Sequence, residues 1–338
     1  LKEFVKKVDA PVCDTLMGKG AFDGTSDLYT GMLGMHGTKT SNLGVSECDL
    51  LIAIGSRFSD RVLGNPKKFA HQAKILHIDV DPAEIGKNAG PTIPLVGDAK
   101  AIFADFEENH CECECEHEEW IKTLEEYRDT MGKKRNPDKD YVDPAEFIKL
   151  LSDEMQDNAV YVADVGQNQI WSCNYHLVKD GRFLTSGGMG TMGYSIPAAM
   201  GAKIGDRSRQ VVAVCGDGSF QMNIQELSTC LEYGIPVKIF ILDNHTLGMV
   251  RQWQRMFYKG HISSTNLNSN PDFIALAKAY GHEGIRVEKP SELDDAVKKA
   301  LSMKDKLVIV DIVCNTDAKV LPMQQAGGSM SDMFLNEE

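Results

Sequence analysis

The sequence lacks an apolar stretch approaching the ~20 residues that a helix needs to cross a bilayer. It also lacks the basic, apolar and small-residue pattern of a secretory signal peptide. No run of Lys and Arg is long enough to neutralise a phosphate backbone, and the 338 residues carry a formal net charge of −13. Such a charge repels a phosphate backbone, so neither a membrane nor nucleic acid is an expected partner.

The nine cysteines show no paired spacing of the kind that builds a disulfide framework. This usage fits a reducing compartment, and we expect a cytoplasmic location. Cys111, Cys113 and Cys115 lie beside His110 and His117. Structural zinc sites usually separate neighbouring cysteines by two to four residues, so a metal site is the less favoured alternative here. We interpret this acidic segment as part of a solvated linker.

The length of 338 residues suits two domains, and 42% hydrophobic with 25% charged residues is typical of globular proteins. The chain opens on what reads as the second half of an amphipathic helix and has no initiator Met. We therefore expect it to start inside a domain. We predict domains at 1–108 and 143–338, joined by a linker at 109–142 that carries a surface helix between residues 118 and 131.

Six short runs rich in β-branched residues lack polar alternation, as parallel strands buried on both faces do. These runs are 50–55, 74–80, 159–165, 210–217, 237–244 and 307–313. Helix starts are predicted where Asp or Asn precedes Pro, at Pro82, Pro144 and Pro271. Strands that alternate with helices predict an α/β fold with two doubly wound, mostly parallel sheets, whose ligands bind at the carboxyl ends of the strands.

The strongest chemical signal is an acidic residue at the end of one predicted strand and an amide at the end of the next. Asp217 is the last residue of the run 210–217, and Asn244 lies 27 residues later, at the end of the run 237–244 and one strand–helix–strand crossover away. Mg²⁺ prefers oxygen ligands, few from protein and several from phosphate and water. We predict that Asp217, Asn244 and the backbone carbonyl of Thr246 hold this cation.

Small residues surround Asp217. Gly216 and Gly218 let the backbone approach a diphosphate closely, while Ser219 and the following helix start offer N–H donors. A strand-to-helix turn without a ligand would use the same residues. Together with Asn244, however, the pattern resembles the signature of thiamine-diphosphate enzymes, in which GDG is followed one crossover later by NN. This chain has Asp243 where the first Asn is commoner.

Other segments resemble the acetolactate synthase branch of that family. The resemblance implies cofactor contacts in the segments VGQNQ and GGMGTMGY, where Asn168 replaces a more usual His. These residues are Gly166, Gln167, Asn168, Gly190, Thr191 and Met192. It further implies that Met222 props the cofactor, that Met249 lines the site and that Trp253, within GMVRQWQ, contacts a second 2-keto acid. Core packing is the competing interpretation for these three side chains.

The first hundred residues resemble the central FAD domain of the same family. The implied FAD contacts are Thr15, Leu16, Gly34, Met35, His36, Gly55, Arg57, Asp79, Val80 and Asp98. Arg61 matches an arginine near the substrate entrance that pairs with a keto-acid carboxylate. The tail from Val320 resembles the family's C-terminal arm, which folds over the site.

The resemblance implies a transferase that uses thiamine diphosphate, Mg²⁺ and FAD. It would decarboxylate pyruvate and join the product to pyruvate or 2-ketobutyrate, as in branched-chain amino-acid biosynthesis. A homodimer or homotetramer with a small regulatory subunit is implied for the full-length enzyme. The family's catalytic Glu lies in an N-terminal domain that this chain lacks, so we expect the chain alone to be inactive. Alternatives are a glyoxylate carboligase, a sulfoacetaldehyde acetyltransferase, a pyruvate oxidase or a non-catalytic cofactor-binding remnant.

Overall fold

The computed structural model of the chain describes residues 1–90, 92–109, 116–129, 139–325 and 327–335. The chain divides into two compact units. The first comprises residues 1–135 with 321–338, and the second comprises residues 136–320. The second unit thus starts inside the predicted linker.

The first unit contains short parallel strands that are connected by helices and turns. Its strands are β1 (Val12–Asp14), β2 (Tyr29–Met32), β3 (Leu50–Ile54), β4 (Lys74–Asp79) and β5 (Thr92–Val96). Its helices are α1 (Lys2–Val8), α2 (Lys39–Glu47), α3 (Asp60–Leu63), α4 (Ala99–Asn109) and α5 (Glu118–Asp129), with a 3₁₀ turn at Leu16–Gly18. β1 pairs with β2, and β3, β4 and β5 form a parallel sheet in that order. The predicted surface helix after residue 118 is therefore confirmed as α5.

The second unit is built on one parallel sheet. Its strands are β6 (Val160–Ala163), β7 (Arg182–Thr185), β8 (Val211–Gly216), β9 (Lys238–Asp243), β10 (Glu283–Val287) and β11 (Val308–Val313). Its helices are α6 (Pro144–Glu154), α7 (Gln167–Tyr175), α8 (Ser195–Gly205), α9 (Asp217–Phe220), α10 (Glu226–Glu232), α11 (Gly248–Phe257), α12 (Phe273–Ala279) and α13 (Leu293–Ser302), with 3₁₀ turns at Gln221–Asn223 and Pro290–Glu292. The strand order is β10-β11-β9-β8-β6-β7, and every neighbouring pair is parallel.

Successive residues of β8 face opposite sides of this sheet, and both sides are buried. Val212 and Val214 pack with α6, α7 and α13, where Phe147 is fully buried. Ala213 and Cys215 pack with α8, α10 and α12 on the other side. Helices cover both faces, which is why the strand reads as a continuous apolar run. The predicted α/β fold with mostly parallel sheets is confirmed, and the second unit has the predicted helices on both faces of its sheet; the first unit divides its parallel strands between a two-stranded and a three-stranded sheet instead of one.

The final residues form a short antiparallel hairpin of β12 (Met323–Gln324) and β13 (Met333–Phe334). The backbone N–H of Gln324 donates to the carbonyl of Met35 at 2.6 Å, and Met330 is buried in the core of the first unit. These contacts explain why 321–338 groups with the first unit, although we predicted it as part of the C-terminal domain.

Two of the three predicted helix starts differ from the structure. Asp143 caps α6 by accepting a hydrogen bond from Ala145 N at 2.8 Å, as predicted. Residues 82–86 form turns instead of a helix, and α12 begins two residues after Pro271, capped by Asp272. The cysteine-rich stretch 110–115 lies outside the described residues. Within the described ranges, no helix is long and apolar enough to cross a membrane.

Candidate cofactor and metal site

The carboxyl ends of β8 and β9 bring two acidic residues together. β8 and β9 are neighbouring parallel strands, with Gly216 paired to Leu242 in the register. Asp217 and Asp243 therefore follow at the same edge of the sheet, and their exposed fractions are only 1% and 4%. The strand–helix–strand crossover predicted from the spacing of Asp217 and Asn244 is present. This edge of the sheet carries two carboxylates, Asp217 and Asp243, whereas the sequence predicted only Asp217 as a charged ligand.

Asn270 and His245 complete a polar cluster with these carboxylates. Asn270 Nδ2 donates to Asp217 Oδ2 at 2.7 Å and lies 3.2 Å from Asp243 Oδ1. His245 Nδ1 is 3.4 Å from Asp243 Oδ1. The potential ligand atoms of Asp217, Asp243 and His245 all lie within 4.8 Å of one another.

Burial and mutual repulsion make this edge electrostatically costly without a cation. Burial, and then the charge of Asp243, raise the pKa of Asp217 to about 8. Among the described residues, neither carboxylate has a Lys or Arg nitrogen within 4.0 Å. Two buried acidic groups without a Lys or Arg partner fit a divalent cation, since buried charges are paired or bound to metal.

The other two predicted metal ligands lie on the loop after β9. Asn244 Oδ1 accepts a hydrogen bond from Thr246 N at 3.2 Å, and Asn244 Nδ2 donates to Gln167 Oε1 at 3.3 Å. Thr246 is buried, and its hydroxyl donates to the carbonyl of Thr265 at 2.8 Å. Asn244, directly after Asp243 in the chain, is thus held by Thr246 and Gln167, and Thr246 is held by Thr265.

Gln167 and Asn168 stand at the start of α7, after the end of β6. Gln167 Nε2 donates to Gln252 Oε1 at 3.0 Å and to the carbonyl of Ala318 at 2.8 Å. Asn168 Nδ2 donates to the carbonyls of Asp164 and Val214, at 2.9 and 3.1 Å. Both amides therefore bind protein atoms. Asn168 ties α7 to the sheet.

The glycine-rich segment after β7 is open to a ligand. Gly190 has a φ of 64°, and a Cβ added to Gly188 or Gly190 would meet no atom within 4 Å. Met189 is 90% exposed, and Thr191 is also exposed, whereas Met192 is half-buried. Backbone without side chains and with free space beside it suits close approach by a cofactor. This loop lies at the same edge of the sheet as Asp217, because β7 and β8 flank β6.

Asp164 anchors this loop, and the sequence argument missed it. Its carboxylate accepts hydrogen bonds from the backbone N–H groups of Gly193 at 2.9 Å, Ser195 at 2.8 Å and Val165 at 2.8 Å. Asp164 is fully buried at the end of β6. The sequence feature that could have indicated Asp164 is its position at the end of a continuous apolar run.

The glycines flanking Asp217 have different environments. A Cβ on Gly218 would lie 2.8 Å from Leu247 Cδ2 and 3.1 Å from Leu267 Cδ1. Gly218 is thus required by packing against the loop after β9. Gly216 N donates to Ser219 Oγ at 3.1 Å, so that Ser219 closes the turn into α9.

The three predicted wall residues differ in exposure. Met222 is 51% exposed and lies against Gly193, since a Cβ there would be 2.9 Å from Met222 Cβ. Met249 is half-buried and packs on the core next to α6 and α7. Trp253, also half-buried on α11, makes an edge contact with Phe257 at a centroid distance of 5.3 Å. Met222 is therefore the most accessible of the three.

In the first unit, the predicted FAD residues directly follow the carboxyl ends of parallel strands. Thr15 and Leu16 come after β1, Gly34 to His36 after β2, Gly55 and Arg57 after β3, Asp79 and Val80 at the end of β4, and Asp98 after β5. Such edges are where open α/β sheets bind ligands.

Local geometry at this edge fits a ligand. Gly55 has a φ of 61° with no atom within 4 Å of a Cβ, and Val80 is 74% exposed. Gly34 has no such space, since a Cβ would lie 2.6 Å from the carbonyl of Arg61. Burial lowers the pKa of His36 to about 4, so this side chain is neutral at pH 7. The Arg61 guanidinium is exposed, with Nη1 3.6 Å from Met35 Sδ.

Comparison with known proteins agrees with this division of the chain. Residues 1–106 match the model of the central domain of thiamine pyrophosphate enzymes, and residues 164–312 match that of their C-terminal TPP binding domain. The chain belongs to the thiamine pyrophosphate enzymes. Asp217, the loop after β7 and the loop after β9 all fall within the TPP-binding domain.

This thiamine pyrophosphate enzyme chain is similar over nearly its whole length to acetolactate synthase large subunits. It is 44% identical to a probable one from Methanocaldococcus jannaschii over 98% of the chain and 57% of the relative. Identity to that of Haemophilus influenzae is 41%, over 100% of the chain and 60% of the relative. Identity to that of Corynebacterium glutamicum is 43%, over 98% of the chain and 55% of the relative. The chain thus spans little more than half the length of these relatives.

Proposed function

We propose that this chain forms the cofactor-binding part of an acetolactate synthase large subunit. The observation that carries the proposal is the similarity, at 41 to 44% identity, to proteins of that name over nearly the whole chain. The buried carboxylates and the open glycine loop at one edge of a parallel sheet are consistent with it. Because the relatives are longer, the activity is proposed for the whole protein.

In this proposal, Asp217 would hold Mg²⁺, which would supply the positive charge that a diphosphate needs at this sheet edge. Asn244 and the carbonyl of Thr246 supply further oxygen ligands, as Mg²⁺ prefers. The bare backbone at Gly188 and Gly190 lets the cofactor lie directly on the loop. When bound, thiamine diphosphate supplies the electron sink that lets pyruvate lose CO₂ and its two-carbon unit join a second 2-keto acid.

The remaining side chains select and orient the keto acids. Met222, being 51% exposed beside the glycine loop, offers an apolar contact to the bound cofactor. Trp253 and Met249, both on α11, contribute apolar surface for the acceptor, pyruvate or 2-ketobutyrate. Arg61, in the first unit, has an exposed guanidinium that can pair with a carboxylate.

FAD is proposed to bind the first unit at the carboxyl ends of β1 to β5. The open space beside Gly55 and the exposed apolar Val80 support this placement. A homodimer or homotetramer with a small regulatory subunit, acting in the cytoplasm, is proposed for the whole protein. The name large subunit, carried by the relatives, supports a smaller partner.

Calorimetric titration of thiamine diphosphate onto the 338-residue chain, with and without Mg²⁺, tests the site. We expect Mg²⁺-dependent binding that Asp217→Ala weakens by about 100-fold or more, because a charged ligand is lost from a buried site. Asp153→Ala, which removes an exposed carboxylate on α6, is the matched control. Equal affinity in wild type and Asp217→Ala would overturn the assignment.

The activity itself requires the full-length protein. A panel of pyruvate, 2-ketobutyrate, glyoxylate and sulfoacetaldehyde should give acetolactate and acetohydroxybutyrate as the main products. Glyoxylate or sulfoacetaldehyde as the preferred substrate would assign the protein to a different thiamine-diphosphate enzyme.

A further inference from the structure

Three buried amide side chains form a continuous chain of hydrogen bonds in the second unit. They are Asn244 on the loop after β9, Gln167 at the start of α7 and Gln252 within α11. Asn244 Nδ2 donates to Gln167 Oε1 at 3.3 Å, and Gln167 Nε2 donates to Gln252 Oε1 at 3.0 Å. All three side chains are buried, so their polar atoms depend on protein partners for hydrogen bonds.

Backbone groups fix the far end of this amide chain. Gln252 Oε1 accepts from Val320 N at 2.8 Å, and Gln252 Nε2 donates to the carbonyl of Val320 at 3.1 Å. Gln167 Nε2 also donates to the carbonyl of Ala318 at 2.8 Å. A backbone N–H only donates and a carbonyl only accepts. Neither glutamine can therefore exchange its oxygen and nitrogen without placing like groups against each other.

This fixed order determines which way the Asn244 amide faces. Because Gln167 Nε2 is bound to Gln252 and Ala318, Gln167 offers its oxygen to Asn244. Asn244 must then present Nδ2, since a reversed amide would bring its oxygen against Gln167 Oε1 and leave both acceptors without a donor. The hydrogen bond from Thr246 N to Asn244 Oδ1, at 3.2 Å, agrees with this orientation.

The orientation matters because only one atom of the Asn244 amide can bind a cation. A carboxamide oxygen has lone pairs for a metal ion, whereas the amide nitrogen is a donor. Mg²⁺, the cation proposed for Asn244, takes oxygen ligands. A reversed Asn244 amide would place a donor where the ligand oxygen is needed.

We propose that Gln252 is a positioning residue for this site, acting through Gln167 to hold Asn244 with its oxygen as the cation ligand. The proposal rests on the proposed function in one respect, since it takes Asn244 as a ligand of Mg²⁺. It goes beyond that function by giving Gln252 a role that requires no contact with the cation or the cofactor.

A second glutamine on α11 provides a matched control. Gln254 Nε2 donates to the carbonyl of Ser263 at 2.9 Å, and Gln254 Oε1 accepts from Ser263 N at 3.2 Å. This is the same pair of bonds to one residue's backbone that Gln252 makes with Val320. Within the described ranges, the Gln254 side chain is hydrogen-bonded to Ser263 and to no member of the amide chain.

Calorimetric titration of thiamine diphosphate onto the 338-residue chain, with Mg²⁺ and without it, tests the proposal. Gln252→Met should reduce the gain in affinity that Mg²⁺ provides by at least about tenfold, as loss of an outer partner of a metal ligand does. Affinity without Mg²⁺ should change less than about twofold, because the role is exerted on a ligand of the cation. A purely structural role would lower both affinities. Gln254→Met should leave both at the wild-type level.

A conservative variant separates hydrogen-bond polarity from packing. Gln252→Glu keeps an oxygen that accepts from Gln167 Nε2 and from Val320 N. It should therefore retain the gain from Mg²⁺ to within about threefold of wild type. A loss as large as that of Gln252→Met would contradict the proposed role of the acceptor.

A double-mutant cycle tests whether Gln252 acts on the orientation of Asn244. Asn244→Asp removes the need for orientation, because either carboxylate oxygen can bind a cation. In this background, Gln252→Met should cost less than about threefold, so the two substitutions should be strongly non-additive. An equal loss in the two backgrounds would overturn the proposal.

Nuclear magnetic resonance of the chain with isotope-labelled asparagine gives a readout without cofactor or metal. The side-chain amide signals of Asn244, identified by their loss in Asn244→Asp, should shift or split in Gln252→Met and stay in place in Gln254→Met. Unchanged Asn244 signals in Gln252→Met would overturn the proposal. The proposed function fails differently, through lack of thiamine diphosphate binding to the wild type with Mg²⁺, so the two failures are distinguishable.

Discussion

Replacement of Asp164 by Ala should strongly destabilise the second unit and loosen the glycine-rich loop. The carboxylate is fully buried and accepts three backbone hydrogen bonds, at 2.8, 2.9 and 2.8 Å. A hydrogen bond to a charged group contributes about 1.5–3 kcal/mol, and a buried donor left unpaired costs about 1–3 kcal/mol. The buried N–H groups of Gly193 and Ser195 lose their acceptor in this variant. We therefore expect the free energy of unfolding to fall by about 4–6 kcal/mol, less than the sum of the separate effects because they are not fully additive.

Urea unfolding followed by circular dichroism measures this change in the free energy of unfolding. The matched control is Asp157→Ala, whose side chain is 67% exposed and pairs with Lys179 at 2.7 Å. An exposed pair contributes about 0–1 kcal/mol, so the control should remain near wild type. A loss below about 1 kcal/mol in Asp164→Ala would refute the role of this residue as the anchor of the loop.

Two other substitutions test particular contacts. Burial lowers the pKa of Lys238 from 10.5 to about 8, so the unfolded state binds more protons between those values and stability should rise with pH there. Lys238→Met should therefore raise the free energy of unfolding at pH 7 by about 1–2 kcal/mol, a figure that allows for the lost hydrogen bond to the Lys306 carbonyl. The variant should also lose the increase of stability between pH 8 and 10.5. Thermal melts from pH 7 to 10.5 measure both effects, and a pH dependence equal to that of the wild type would contradict the prediction. Gly248→Ala should weaken thiamine diphosphate binding at least about tenfold, because the new Cβ would overlap the Gln167 amide and lie 2.9 Å from Asn244 Nδ2, and would displace both side chains. Unchanged affinity would show that binding does not need the positions of these two amides.

The buried strands of the fold could be predicted because burial on both faces gives a continuous run of apolar residues in the sequence. All six predicted runs correspond to strands, namely β3, β4, β6, β8, β9 and β11. In the first unit β1, β2, β5, β12 and β13 were missed, and in the second unit β7 and β10 were missed. β7 and β10 are the two edges of the six-stranded sheet, where half-exposed positions accept residues such as Arg182 and Glu283 and interrupt the apolar run.

Only the site residues at the ends of predicted strands could be predicted from the sequence. Asp217 and Asn244 follow two predicted strands, so the crossover placed them at one edge. Asn270 lies 53 residues from Asp217, and no periodicity indicates that its amide reaches the carboxylate. The direction of the Asn168 side chain, toward the sheet carbonyls, likewise depends on packing and not on spacing.

A crystal structure of the chain with thiamine diphosphate and Mn²⁺ tests the central claim most directly. Anomalous scattering locates the metal without reference to any assumed ligand. The account predicts a metal peak within about 2–2.5 Å of an Asp217 carboxylate oxygen, with diphosphate density reaching toward Gly188 and Gly190. A metal peak elsewhere in the second unit, or diphosphate density away from the carboxyl ends of β6 to β9, would contradict it.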